Sequence, residues 1–207
     1  MKYKCFLIFF CLIFVGYTQS SFTQFKKLSG PKKWWVILHP FKAKKALEIS
    51  RDVKRVTDSI RKTNMLDGDP SGGQVDAFRH AYWMARLREE IGKGAARSLG
   101  RAHERENYKM YKERRLEEGI VPDEISSEMD FFNNDVGLSL TRKGNKTPRK
   151  GLIYRVINAI TGGKMKVIKK NKKGEFLTCS GEIITTASLK GKWKNNKCLV
   201  TSNYVRE

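Results

Sequence analysis

The chain has 207 residues, 42 of them Lys or Arg against 21 Asp or Glu, a formal charge of +21. That length holds one domain with an appendage, and the absence of any internal repeat or low-complexity tract excludes a repeat array. The charge favours anionic partners such as phosphate polymers, anionic lipid or acidic glycans and carries no information about fold; a solvated lysine surface that only keeps the protein soluble accounts for it equally well.

Residues 1–20 follow the three-part plan of a secretory signal. Lys2 and Lys4 precede an apolar run from Cys5 to Tyr17, followed by Thr18, Gln19 and Ser20. A spanning helix needs roughly 20 apolar residues, and the run falls short of that, so the reading is a cleaved signal, with an uncleaved anchor as the alternative. Cleavage near Ser20 would leave 40 basic and 21 acidic residues, a charge of +19, on a periplasmic or secreted protein.

Residues 21–41 form an N-terminal lead whose Trp34, Trp35, Val36, Ile37 and Leu38 are expected to tuck into the core ahead of Pro40, with His39 as a packing residue. A first helix is expected from about Lys42 to Lys62, because Ile49, Val53, Val56 and Ile60 recur at helical spacing. Asn64–Gly73 breaks it with Gly and Pro. Asp67 and Asp69 there match the opening of a calcium loop, but the later ligands do not follow at the required spacing.

A second helix runs from about Gln74 to Ile91 and is ended by Gly92; a third starts near Lys93 and continues or frays through Arg105–Glu118. After Pro122, with Asp123 or Ser126 as cap, a fourth reaches about Leu140. Residues 141–151 are a basic linker, and a fifth, short helix covers Leu152–Ile160. Beyond Gly162, the stretches 164–169, 176–179, 182–186 and 197–200 read as short strands between Gly and Asn turns. Cys179 and Cys198 would be the two cysteines left after processing, and in an exported chain they are expected to pair. The expected fold class is mainly α: a bundle of about five helices over 42–162 with a small basic β meander over 163–207.

The second helix carries the most chemistry. Asp76, Arg79, His80 and Trp83 share one face at i, i+3, i+4 and i+7, and the rest of the helix is apolar, so these ionisable groups need partners from elsewhere. The fourth helix repeats the design with Asp130, Asn133, Asn134 and Gly137, and the third adds His103 and Glu104. If the three stripes converge, His80, His103 and Asp130 could bind a divalent metal, and a nitrogen-rich set of this kind suits zinc. Glu104, Arg79 and Asp76 are then the catalytic candidates, and Asn133, Asn134 and Trp83 the substrate-binding ones. A buried hydrogen-bond network that binds nothing uses the same residues.

The strings GGQVDAFRHAYWMA (72–85), GRAHE (100–104) and SEMDFFNNDVG (127–137) resemble an uncharacterised bacterial family of exported, phage- or toxin-associated proteins, a domain of unknown function. The resemblance covers roughly Trp34 to Leu140 and supports the site residues as a set without naming their work. A second resemblance is one of layout: His80, then His103–Glu104, then Asp130 is similar to the HD-type metal phosphohydrolases, with Glu104 standing where that pattern has Asp. The buried ionisable cluster and the +19 charge lead to the expectation of a metal-dependent hydrolase of an anionic phosphoester or phospholipid. A non-catalytic envelope protein that binds anionic surfaces is the rival expectation. A nucleic-acid binder is a third, favoured by Trp193 among lysines and disfavoured by the export signal.

Overall fold

The computed structural model describes residues 23–117 and 119–206, so the secretory signal read over 1–20 lies outside the described residues. Helix α1 (Gly30–Leu38) is separated from α2 (Pro40–Arg61) by His39, whose backbone is extended out of the helical region. Pro40 is the cause: the ring of a proline disfavours helical geometry in the residue before it, yet proline itself starts a helix well. The corner leaves Trp35 buried, its Nε1–H donating to Ala95 O at 3.1 Å, with the His39 ring stacked on it at 4.8 Å. Trp34, Ile37 and Leu38, expected to pack with Trp35, are instead exposed. Two adjacent helical residues point about 100° apart, so a helix lying on a surface cannot bury the whole run.

Helix α2 buries one stripe, Ala46, Ile49, Val53, Val56 and Ile60, against α3 (Gln74–Ile91). Helix α3 is central, with 12 of its 18 residues buried, and it touches α2, α4 (Lys93–Lys112), α5 (Glu124–Ser139) and α6 (Arg149–Thr161). Phe78, Tyr82, Met84 and Leu87 are fully enclosed there, joined by Leu152, Val156 and Ile160 from α6. Asp123 starts α5 through a reciprocal cap, its Oδ1 accepting from Ser126 N at 2.8 Å while Ser126 Oγ accepts from Asp123 N at 3.0 Å.

The chain is mainly helical, as expected, but the helix count differs. Among the described residues are six helices from α1 to α6, the short α7 (Thr186–Leu189) and a helical stretch over 23–27, rather than about five. The additions are short or interrupted elements, too brief to show a hydrophobic period. The expected meander reduces to two antiparallel strands, β1 (Lys166–Ile168) and β2 (Leu199–Thr201), with Lys166 opposite Thr201, and two isolated bridges, Lys170–Phe176 and Leu177–Ile183. Cys179 and Cys198 form a disulfide. This segment is docked on the helices rather than appended: Ile168 N donates to Gly72 O at 2.7 Å, and Gln74 Nε2 donates to Ser202 O at 2.7 Å. Among the described residues, no helix is long and apolar enough to cross a membrane.

Candidate functional site

Helix α5 turns its polar stripe inward. Asp130, Asn133, Asn134 and Gly137 are buried, while Phe131 and Phe132 face out. Burying polar groups in preference to phenylalanines is costly unless they are fully bonded or serve a purpose. The approach depends on Gly137, where a Cβ would lie 2.3 Å from the carbonyl oxygen of Ala81 on α3. That contact brings the polar face of α5 onto Asp76, Arg79 and His80.

His80 is the hub. Its Nδ1 lies 3.3 Å from Asn134 Oδ1, and its Nε2 lies 3.2 Å from Asp130 Oδ1 and 3.5 Å from Asp76 Oδ1. The bond to an amide oxygen requires the proton on Nδ1, which leaves the Nε2 lone pair aimed at two carboxylates. Burial, with Arg79 and His103 nearby, holds the His80 imidazole well below its ordinary pKa and so opposes a second proton. Burial, reinforced by repulsion from Glu104, Asp76 and Glu117, raises the Asp130 carboxyl well above the usual range. His80 Nε2 and Asp130 Oδ1 are both sealed from solvent without an acceptable hydrogen-bond partner. A cation or a proton is needed between them.

Asp76, His80 and Asp130 each offer a ligand atom within 4.8 Å of the other two, and all three residues are buried, so this group could hold a metal ion. Asp76 is oriented by Gly72 N on Oδ2 at 2.7 Å and by Arg79, whose Nη2 donates to Oδ1 at 2.6 Å. Orientation of ligating carboxylates by such outer bonds is a regular feature of metal centres.

His103 stands outside that group. Its Nε2 lies 3.1 Å from Glu117 Oε1 and its Nδ1 3.8 Å from Glu106 Oε2, while its ring centroid is 5.9 Å from that of His80. Burial alone would lower its pKa, but the facing carboxylates of Glu106 and Glu117 override this and push it up to about 9. The two carboxylates favour the charged ring, and its nitrogens are not among the ligand atoms that Asp76, His80 and Asp130 bring together. Glu104 beside it is buried, accepts from Asn107 Nδ2 at 3.3 Å, and is raised to about 7 by burial and by Glu117. That places its proton exchange near neutrality.

The remaining expected residues take other positions. Asn133 spends both amide atoms on β1, donating to Lys166 O and accepting from Lys166 N, each at 2.9 Å. Trp83 donates to Ser50 Oγ at 2.9 Å and meets the His103 ring edge-on. Asp67 and Asp69 bind Arg206, and Asp69 also binds the buried Lys170 at 2.6 Å, so cations from the C-terminal segment already occupy the loop that resembled a calcium site.

Sequence reasoning missed Glu117. It lies beyond α4 on a bridged turn with Ile120, and its carboxylate sits between His103 and Arg79 Nη1, 3.8 Å from the latter. Nothing local distinguishes it from the other acids of the charged stretch. A small cleft, with a cavity of about 40 Å³, reaches the cluster and is lined by Asp76, Arg79, Glu117 and Asp130 together with Ile168 and Phe176. That volume admits water or an ion and not an organic group, so any larger substrate would sit at the mouth.

Fold and site together define a mainly helical protein with a buried histidine–carboxylate cluster under a narrow cleft. The chain belongs to the family of the domain of unknown function DUF6973, whose match spans residues 33–164 and so contains Asp76, His80, Glu104, Glu117 and Asp130. No curated protein and no solved structure matches it.

Proposed function

We propose that the protein is a metal-dependent hydrolase of an anionic ester, a phosphoester or phospholipid, with Asp76, His80 and Asp130 as the metal ligands. The observation that carries the proposal is the His80 Nε2 lone pair directed at two carboxylates, with Nε2 and Asp130 Oδ1 both lacking a partner. Two carboxylates and one imidazole form an oxygen-rich set, which suits manganese or iron as well as zinc, in contrast to the two-histidine set read from sequence. A bound divalent ion supplies polarisation of the ester oxygen and of water.

The protein's own groups do the rest. Asn134 fixes the His80 tautomer through Nδ1. Arg79, at the cleft and already bonded to Asp76, offers its guanidinium to charge developing on the substrate. Glu104, raised to about 7 and close enough for its charge to act on Asp130, is the group we assign to proton exchange with the cluster. The excess of basic residues draws an anionic substrate toward the cleft.

The test is metal content of the purified protein and of His80→Ala and Asp130→Asn, before and after loading with zinc or manganese, followed by turnover of a chromogenic phosphodiester. About one equivalent in the wild type, lost in both variants together with turnover, is expected. Wild-type protein that takes up no ion under any loading sinks the proposal. The second reading, a proton shared by His80 and Asp130 in an inert network, is favoured by their 3.2 Å separation. It predicts instead that both variants lower the melting temperature and that added metal changes nothing.

A further inference from the structure

The α1–α2 corner carries an apolar surface that the proposed chemistry does not use. Trp34, Ile37 and Leu38 lie on the outer face of α1, at 67%, 54% and 70% exposure, and Phe41 in the first turn of α2 is 100% exposed. Isolated exposed apolar residues are ordinary, whereas four large ones within eight positions at one helix corner are a concentration that calls for a partner.

Along the sequence, the charge beside the patch has one sign. From Ser21 to Leu47 the sequence holds seven lysines and no Asp or Glu. Lys32 is engaged with Glu106, and Lys45 makes an exposed pair with Glu48 at 3.6 Å. Lys33, Lys42 and Lys44 flank the apolar side chains on the same two helices.

Shape narrows the partner further. A fully exposed Phe41 at a helix corner projects rather than lining a groove, so a peptide has no slot to occupy. Trp34 and Phe41 carry rings on which a nucleic-acid base stacks, but Ile37 and Leu38 beside them carry none, whereas an acyl boundary takes all four side chains. Projecting Trp, Leu and Phe ringed by lysines is the composition of elements that insert into the headgroup region of an anionic bilayer, with the apolar groups entering the acyl boundary and the ammonium groups meeting phosphate.

We propose that the α1–α2 corner, through Trp34, Leu38 and Phe41 with Lys33, Lys42 and Lys44, docks the protein onto anionic lipid membranes. Docking is independent of the metal reading, since none of these residues reaches the His80 cluster, and a chain that binds no metal would still dock.

Sedimentation of the full chain with vesicles of phosphatidylcholine, with and without about a third phosphatidylglycerol, tests it. The variants are Trp34→Ala/Leu38→Ala/Phe41→Ala and Lys33→Gln/Lys42→Gln/Lys44→Gln, each checked for an unchanged melting temperature. The expected result is binding to the anionic vesicles only, weakened roughly tenfold or more by either variant, with added salt acting like the lysine variant. Equal binding to both vesicle types, or undiminished binding by the apolar variant, overturns the proposal; the latter would leave residues 1–22 as whatever holds the chain to lipid. So does a wild-type dimer that ignores vesicles and becomes a monomer in the apolar variant, which would assign the patch to a second copy.

Discussion

Gly137→Ala probes the contact on which the site depends. The new Cβ would meet Ala81 O at 2.3 Å, Cα at 2.6 Å and C at 2.8 Å, against ordinary contact from 3.4 Å. All three are backbone atoms and cannot rotate away, so α3 and α5 would have to separate by about 1 Å. Intrinsic helix preference acts the other way and favours alanine by about 1 kcal/mol. Overpacking that shifts backbone costs about 1–3 kcal/mol and occasionally more; three backbone contacts below 3 Å put this case at the upper end, so after the propensity offset the net loss is expected at about 2 kcal/mol. For a chain of this size that lowers the melting temperature by roughly 4–8 °C. Thermal unfolding by circular dichroism reads it directly, with Gly94→Ala on α4 as the control, because a Cβ there meets nothing within 4 Å and should be neutral or slightly stabilising. A Gly137→Ala protein that melts at or above the wild-type temperature would refute the reasoning, since that is the result propensity alone gives.

Three further outcomes are expected. His103, held at about 9 against an unfolded value near 6.5, contributes stability that is fully present below about pH 6.5 and is lost as pH rises through about 9. At about 1.4 kcal/mol per tenfold change in proton affinity the contribution is on the order of 3 kcal/mol. Urea unfolding of wild type and His103→Gln should therefore show a stability gap that is wide at pH 6 and closes toward pH 10; a gap independent of pH contradicts the Glu106–Glu117 assignment. Asp123→Ala removes the α5 cap and strands the buried Lys197 ammonium, 2.6 Å from Asp123 Oδ2. Unfolding should cost roughly 3–5 kcal/mol less, with partial recovery on adding Lys197→Met. Reducing the Cys179–Cys198 bridge, which spans 19 residues, should cost about 3 kcal/mol, and calorimetry with and without reductant measures it.

Much of the helical frame was legible beforehand because it depends on local rules. The span of α3 follows from its apolar content and from Gly73 and Gly92 at its ends, and the observed helix is Gln74–Ile91. The start of α5 at Asp123 follows from cap chemistry. The lead failed in part for the opposite reason: burial of Trp34 or Leu38 depends on where a neighbouring helix lies, and composition says nothing of that. The C-terminal strands were overcounted because short β segments depend on partners distant in sequence.

Which side chains share a helical face follows from the order of residues alone: Asp76 with Arg79 and His80, and Asp130 with Asn133 and Asn134. Periodicity along a helix requires that much. The packing of the helices sets how each face is rotated toward its neighbours. It put Asp76 and not His103 beside His80 and Asp130, spent Asn133 on β1, and brought Glu117 in from a loop with no period to betray it. The physical reason is that a ligand set is a matter of distances between elements, and those distances are set by packing at points such as Gly137 against Ala81.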